Sequence, residues 1–449
     1  MTSWPRERCF VAIATVLVLA VGAGCDGVPP GANANAGENG VTVRDSAGIE
    51  IVENHAPEHP AGAFWSIDAE PEIVLGGGRA GMANGGPGDA VTDSAQLIWQ
   101  VRGVARLDDG RIAVLSMGNH RLFLFEPSGE LSRVIGGRGE GPGEFARPQQ
   151  LLYLPPDTLV VWDYWFAPAS YFDIDGRLLG ERTIDLRRMM EAAPGTNAES
   201  TLFPLPDGSM VVVAGNEFPS ATPPQGFVRG PSSEFIRVDD SYSARSLGSW
   251  EGLEIWVPPG QSDVPGFPTL MVESHLASGG DLPSIYISNG DRDEIHQFSL
   301  GGDLIRVIRR TNGPVPATQA AQEAWESAFV AFWSRFGDLE EELGMSTDQF
   351  FAGMPLRDAF PPVAGLVVDT EGFLWVREWS ASEAGMPDRW SVFGADGRWL
   401  GVIRALPDLM LCHRFLAPCW IDREFLLAVR RDELGIERVE GYRIRRGVG

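Results

Sequence analysis

The chain has 449 residues, of which 44% are hydrophobic and 22% are charged, and it contains 54 glycines and 33 prolines. This composition is typical of a globular, mainly β protein with a sizeable core and many turns. All 36 basic residues are arginine and the net charge is −25. The sequence therefore excludes Schiff-base catalysis by lysine and argues against binding to a nucleic-acid backbone.

The N-terminus predicts an exported protein. Arg6 and Arg8 precede an apolar run over residues 10–21 that ends in small residues, which is the pattern of a secretory signal peptide over residues 1–24. Cys25 follows directly and resembles the lipidated cysteine of bacterial lipoproteins. Conventional cleavage near this point and an uncleaved anchor are the alternatives, although the run is shorter than the ~20 residues of a membrane span. Residues 25–40 are rich in Gly, Pro, Asn and Ala and predict a flexible tether.

A short pattern recurs four times in the rest of the chain: a phenylalanine, a glycine four residues later and a bulky apolar residue two further on. The copies are Phe125, Gly129 and Leu131; Phe172, Gly176 and Leu178; Phe298, Gly302 and Leu304; and Phe393, Gly397 and Trp399. Each copy predicts two strands joined by a tight turn, because glycine supplies the positive φ that the reversal requires. With a degenerate copy near Phe235, the spacing fits units of roughly 40–50 residues, which indicates a β-propeller.

A second turn-and-strand element divides the chain into six units, which start near Val101, Gln149, Thr201, Ser274, Val363 and Leu411. The sequence thus predicts an all-β fold, a six-bladed β-propeller over residues 41–449. Residues 72–75 and the glycines after them repeat the end of the first unit, so they predict the outermost strand of the last blade. This N-terminal strand would close the ring and protect its edges. The strand at 49–53 is a second candidate for the same blade.

Residues 316–360 break the β pattern and predict a helical insert between blades four and five. Aromatic residues at 325, 329, 332 and 336 recur at helical spacing, and Gly337 ends this helix before a short second one over 338–343. We expect the aromatic stripe to pack on the propeller. The insert is then either purely structural or also a lid over one mouth of the central channel.

Few residues suggest chemistry. In an exported protein Cys412 and Cys419 predict a disulfide; free thiols are an alternative, and a metal site with His413 is disfavoured because its ligand set would be incomplete. No metal-binding pair of histidines, phosphate loop or nucleophile motif occurs in the sequence. Four acidic residues follow middle strands near one propeller face and are weak candidates for a metal site, although most such residues are solvated: Asp163, Asp291, Asp293 and Glu378.

A family resemblance rests on two segments. Residues 118–129, Gly-Asn-His-Arg-Leu-Phe-Leu-Phe-Glu-Pro-Ser-Gly, and residues 139–145, Gly-Glu-Gly-Pro-Gly-Glu-Phe, resemble NHL-type repeats and the six-bladed propeller lipoproteins of bacteria that carry them. The resemblance implies a fold more than a function, because these propellers include binding proteins and several unrelated enzymes. Likeness to lactonase-like propellers implies that the four acidic residues could hold Ca²⁺.

These observations favour a cell-envelope lipoprotein, exported and anchored to the membrane through Cys25, whose propeller binds a protein or a small molecule on one face. No cofactor and no nucleic acid is expected. Six tryptophans near strand ends favour a recognition surface: Trp162, Trp165, Trp250, Trp256, Trp375 and Trp379. The alternative is a metal-dependent, lactonase-like hydrolase or lyase with Ca²⁺ at the channel mouth.

Overall fold

The chain forms the six-bladed β-propeller that its repeats predict. The computed structural model describes residues 35–36, 40–76, 98–163, 168–196, 201–215, 225–259, 267–268, 273–280, 282–334, 338–379, 389–404, 406, 412, 418–431 and 436–447. The predicted signal peptide and Cys25 lie outside the described residues.

Five strands precede the blades: β1 (Asn35–Ala36), β2 (Val41–Ser46), β3 (Ile49–Asn54), β4 (Ser66–Ile67) and β5 (Ile73–Gly76). Blade one contains β6 (Val101–Arg106), β7 (Ile112–Ser116), β8 (Arg121–Phe125) and β9 (Leu131–Ile135). Blade two contains β10 (Pro148–Leu154), β11 (Thr158–Asp163), β12 (Ala169–Asp173) and β13 (Leu178–Arg182), and the helix α1 (Leu186–Ala192) follows it.

Blade three and a small side sheet alternate along the chain: β14 (Thr201–Pro204), β15 (Met210–Ala214), β16 (Gly226–Arg229), β17 (Ser233–Val238), β18 (Ala244–Trp250), β19 (Glu254–Val257) and β20 (Phe267–Pro268). The side sheet consists of β16, β19 and β20, and the other four strands form the blade. Blade four contains β21 (His275–Gly279), β22 (Ser284–Ser288), β23 (Glu294–Ser299) and β24 (Leu304–Arg310).

Three helices lie between blades four and five: α2 (Gln319–Trp333), α3 (Leu339–Leu343) and α4 (Thr347–Phe351). Blade five contains β25 (Gly365–Val368), β26 (Leu374–Glu378), β27 (Arg389–Phe393) and β28 (Trp399–Arg404), and blade six contains β29 (Cys419–Ile421), β30 (Phe425–Arg431) and β31 (Glu437–Arg445). The innermost strand of blade six thus begins at Cys419 rather than near Leu411, because the segment before it belongs to the connection from blade five.

The ring closes as predicted, through an N-terminal strand. β5 pairs antiparallel with β31, with Leu75 opposite Val439, so it supplies the fourth strand of blade six. The two-residue strand β4 extends the same edge by pairing with the end of β31. The assignment of residues 49–53 to this blade is wrong: β3 pairs in parallel with β24 of blade four, with Ile51 opposite Val307. A parallel partner needs no hairpin, which is why a meander-based repeat gives no signal for it.

Two structural features explain why glycine recurs at the turn of each repeat: the backbone conformation and the close approach of the neighbouring blade. Gly129, Gly176, Gly302 and Gly397 all have positive φ, between 80° and 88°. A Cβ on Gly176 would also lie 2.5 Å from Ile135 Cδ1 of the preceding blade, and one on Gly397 would lie 3.0 Å from Ile308 Cγ1. In blade three the turn position equivalent to these glycines is Tyr242, with φ 65°. The strand before this turn, β17, ends at Val238. The degenerate copy of the pattern therefore starts at Val238, three residues after Phe235.

Six clusters of buried apolar side chains fill the six gaps between neighbouring blades. The gap between blades six and one, for example, contains Leu75 of the closing strand beside Phe123 and Val439. Each blade therefore packs against two neighbours, and closure of the ring buries one face of each terminal blade that would otherwise be exposed.

A seventh cluster lies outside the ring and joins α2, α3 and α4 to the side sheet; we call these four elements the cap. Trp325 and Phe329 of α2 pack with Phe350 of α4 and with Trp256 of β19, whose indole Nε1 donates a hydrogen bond to the Phe350 carbonyl at 2.8 Å. Trp379, directly after β26, belongs to the same cluster and attaches the cap to blade five. The predicted helix end at Gly337 lies outside the described residues.

Candidate functional site

The two faces of the ring differ in their connections. Because the strands of each blade alternate in direction, connections alternate between the faces. On one face, which we call the turn face, no connection between consecutive strands of a blade is longer than five residues. These connections are 107–111, 126–130, 155–157, 174–177, 205–209, 239–243, 280–283, 300–303, 369–373, 394–398 and 422–424. The opposite, loop-rich face has the long connections: 77–100, 136–147, 183–200, 215–232, 251–274, 311–364, 379–388 and 405–418. The loop-rich face, with the cap on it, is therefore the candidate functional face.

A disulfide bond also lies on the loop-rich face. Cys412 and Cys419 are bonded, with their Cα atoms 4.8 Å apart. Since Cys419 begins the innermost strand β29, the bond ties the connection before it to the channel wall. His413 lies outside the described residues.

An aromatic pair connects the innermost strands of blades six and two. Trp420 of β29 in blade six lies 6.1 Å, between ring centroids, from Tyr153 of β10 in blade two. The indole Nε1 of Trp420 and the hydroxyl of Ser278 on β21 are buried and have no hydrogen-bond partner among the described residues. Buried polar atoms of this kind are costly unless something binds them.

The four acidic candidates do not form one site. Asp163 accepts hydrogen bonds from the backbone N–H groups of Ala146 and Arg147 at 2.6 Å and 2.5 Å, and Asp291 pairs with Arg229 at 2.9 Å. Only the remaining two, Asp293 and Glu378, come together. Within the described part of the chain, no three His, Cys, Asp or Glu side chains lie close enough to share a metal ion. The calcium site stays a prediction.

Asp293 and Glu378 meet around Arg310, the last residue of β24. The Arg310 guanidinium binds Asp293 at 2.7 Å and also Glu378, and it donates to the Pro362 carbonyl at 3.1 Å. Burial lowers the pKa of Arg310, but the charges of Glu378 and Asp293 outweigh this effect and hold the pKa above its usual value. Burial raises the pKa of Asp293 against the opposing effect of Arg310. This group is an ion-pair network between blades four and five.

A second buried arginine, Arg377, lies one residue before Glu378 and is only 8% exposed. Successive residues of a strand point to opposite faces, so Arg377 points away from the Arg310 network. Its side chain has no hydrogen bond or ion pair with any described residue, and burial lowers its pKa to about 10. Arg377 lies opposite Gly365 of the innermost strand β25.

His275 begins β21, the neighbouring innermost strand, at the same loop-rich end of the channel. Its side chain is 10% exposed, and its Nε2 is buried with no hydrogen-bond partner in the described structure. Burial lowers the pKa of His275 to about 4; a hydrogen bond with the Val363 backbone opposes this effect, and the charge of Arg377 adds to it. His275 is thus neutral near pH 7 and within electrostatic reach of Arg377.

The sequence did not single out this pair. All five residues of β26 are buried, including Arg377 and Glu378, so two adjacent charges in an otherwise apolar strand were the available signal. The tryptophan prediction is wrong for the five described members, Trp162, Trp250, Trp256, Trp375 and Trp379, which are all buried. Their indoles fill the gaps between blades and the cap, and so they present no recognition surface; Trp165 lies outside the described residues.

A family model supports the fold. Residues 91–192 match DUF5128, a family described as a 6-bladed beta-propeller. A candidate exported protein from Bacteroides fragilis is 10% identical, with a TM-score of 0.42, over 88% of this chain and 98% of that one. A DUF4221 family member from Bacteroides vulgatus is 9% identical, with a TM-score of 0.45, over 86% and 99%.

A gluconolactonase from Xanthomonas campestris is 15% identical, with a TM-score of 0.36, over 87% of this chain and 100% of that one. No curated protein matches the chain. At these identities and TM-scores the solved structures carry no argument about this chain, and the likeness to NHL-type repeats stays a prediction. No helix in the described ranges is long and apolar enough to cross a membrane.

Proposed function

We propose that this protein is a binding propeller, which takes a ligand at the mouth of its central channel on the loop-rich face. The observation that carries the proposal is the asymmetry of the ring: turns of five residues or fewer on one face, and the cap and all long connections on the other. Long connections held by a rigid scaffold are where binding residues concentrate. The cap is large enough to restrict access to the mouth, as a lid would.

The alternative function, a metal-dependent hydrolase or lyase, needs acidic ligands that are available to a metal ion. The four candidates are instead engaged, Asp291, Asp293 and Glu378 with arginines and Asp163 with backbone N–H groups. Binding without catalysis is therefore the better supported function.

Metal analysis and a ligand screen together test this function. We expect purified protein to contain less than one equivalent of divalent metal and to keep its melting temperature in EDTA. A thermal-shift screen of sugars, amino acids, short peptides, organic acids and phosphates should yield a compound that stabilises the protein and is recovered unchanged. Stoichiometric calcium with a large loss of stability in EDTA, or turnover of the compound, would favour the enzyme instead.

We also propose that the protein is exported and attached to the cell envelope through Cys25. The support is the charged, apolar and small-residue pattern before this cysteine. In a bacterial host, the wild-type protein should partition with membranes, and Cys25→Ser should release it into the soluble exported fraction. Equal membrane partitioning of both would refute lipidation.

A further inference from the structure

Two largely buried arginines in neighbouring blades have opposite surroundings. The Arg310 side chain is 5% exposed and binds two carboxylates, whereas Arg377, 8% exposed, has no partner among the described residues. An unpaired buried charge is one of the more costly groups in a protein interior. Acidic partners are not scarce, because the chain has 61 Asp and Glu against 36 arginines.

The nearest carboxylate in sequence is unavailable to Arg377. Glu378 points to the opposite face of β26, where it binds Arg310 and, at 2.8 Å, Arg389. The alternation of the strand therefore separates the two charges even though they are adjacent in the chain.

The Arg377 side chain lies against the strand that borders the channel. A Cβ built on Gly365 would lie 3.5 Å from Arg377 Cβ and 3.8 Å from Arg377 Cδ. Since Gly365 belongs to the innermost strand and Arg377 to the second, the aliphatic stem of Arg377 lies against the inner strand at a position that has no side chain. Gly365 has no side chain to cover the guanidinium. The φ of Gly365 lies outside the left-handed region, so the backbone does not require glycine here.

The neighbouring inner strand provides a second polar group. His275 starts β21 at the loop-rich end, and its buried Nε2 has no partner within the described ranges. A fixed cation and an uncharged hydrogen-bonding ring thus lie at one end of the channel, on adjacent blades. A guanidinium binds carboxylate and phosphate oxygens through two parallel hydrogen bonds.

From this arrangement we propose that the ligand carries an oxyanion, a carboxylate or a phosphate, which binds Arg377 at the loop-rich mouth beside His275. The inference rests on the proposed function and adds to it the chemical class of the ligand. The anion would supply the missing partner of Arg377, and the rest of the ligand would lie toward His275 and the cap.

Stability without a ligand gives the first test, with Arg377→Met and Arg310→Met as a matched pair in Tris-chloride buffer. Arg377→Met should melt at or above the wild-type temperature, because it removes an unpaired charge and keeps the stem. Arg310→Met should melt lower, because it leaves Asp293 and Glu378 without their cation. If Arg377→Met lowers the melting temperature as much as Arg310→Met does, Arg377 is paired within the chain and the proposal is wrong.

Binding of defined anions gives the second test. Citrate and inorganic phosphate are the probes, glucose is the neutral control, and sodium chloride at equal ionic strength reports general salt effects. At least one probe should bind the wild type and the control Arg398→Met, whose side chain is 43% exposed on the turn face, and should bind Arg377→Met at least about tenfold more weakly. Citrate and phosphate affinities distinguish a carboxylate ligand from a phosphate ligand.

Equal binding of the probes to the wild type and Arg377→Met, or no binding to either, would overturn the inference. A neutral compound that stabilises both proteins would overturn it too, yet would leave the proposed binding function standing. The failures of the two proposals are thereby distinguishable.

Discussion

His275 shows how the ring sets the chemistry of a single residue. It lies at the inner end of blade four, where burial holds its pKa at about 4 instead of 6.5. Because the folded-state pKa is the lower one, the unfolded chain binds the proton first as pH falls. The protein should therefore lose stability between about pH 6.5 and pH 4, and this loss should be complete below pH 4.

The variant His275→Gln isolates this effect, because the difference in unfolding free energy between it and the wild type cancels every other titrating group. From pH 7 to pH 4 the wild type should lose about 3 kcal/mol relative to the variant. Urea unfolding at both pH values measures the difference. A difference that is independent of pH would mean that the imidazole is accessible to protons in the folded state.

At this scale, sequence reasoning predicts positions better than partners. It places Asp293 and Glu378 at strand ends near one face, and the structure brings these two together. It takes them for metal candidates, whereas Arg310 lies between them. Arg310 is in another strand, and only the register of blade four against blade five brings it there, which no local pattern contains.

Turn glycines connect the sequence repeat to the packing of whole elements. Gly176 and Gly48 both have positive φ, 81° and 84°, but only Gly176 touches another blade. A Cβ there would lie 2.5 Å from Ile135 Cδ1 and 2.8 Å from Arg133 Cδ, whereas nothing lies within 4 Å of one on Gly48. Replacement by alanine thus separates backbone strain from blade packing.

Gly48→Ala should cost about 1 kcal/mol through its left-handed φ alone. Gly176→Ala should cost that amount and about 1–3 kcal/mol more, because the new methyl overpacks the gap between blades one and two. The free energy of unfolding in urea measures both. Equal losses for the two variants would show that the neighbouring blade yields without cost.

Element by element, the local signals identify strands and turns but not every partner. The Phe and Gly pattern predicts the hairpins of blades one, two, four and five, and fails in blade three because Tyr242 replaces the glycine. The turn itself has the same hydrogen bond in blades two and three. Asp239 Oδ1 accepts from the Ser243 N–H at 2.9 Å in blade three, and Asp173 Oδ1 accepts from the Arg177 N–H at 2.8 Å in blade two. The other copies have Glu126, Ser299 and Gly394 at this position, so the aspartate is shared by blades two and three only.

For the whole molecule, closure and asymmetry matter most. The strand β5 joins blade six across the length of the chain, and the repeat of its sequence in blade one made that pairing predictable. The added strands of blade four were not predictable, since β3 has no counterpart in the repeat. The alternation of short and long connections is also readable from the sequence once the blades are aligned, and it distinguishes the two faces.

The most direct test of the central claim is hydrogen–deuterium exchange of the protein with and without the most stabilising compound from the ligand screen. Binding at the channel mouth should slow exchange in peptides of the loop-rich face, such as 136–147, 183–196 and 251–259, and around His275 and Arg377. Peptides of the turn face, such as 126–130, 174–177 and 300–303, should exchange at unchanged rates. Protection confined to the turn face would contradict the account.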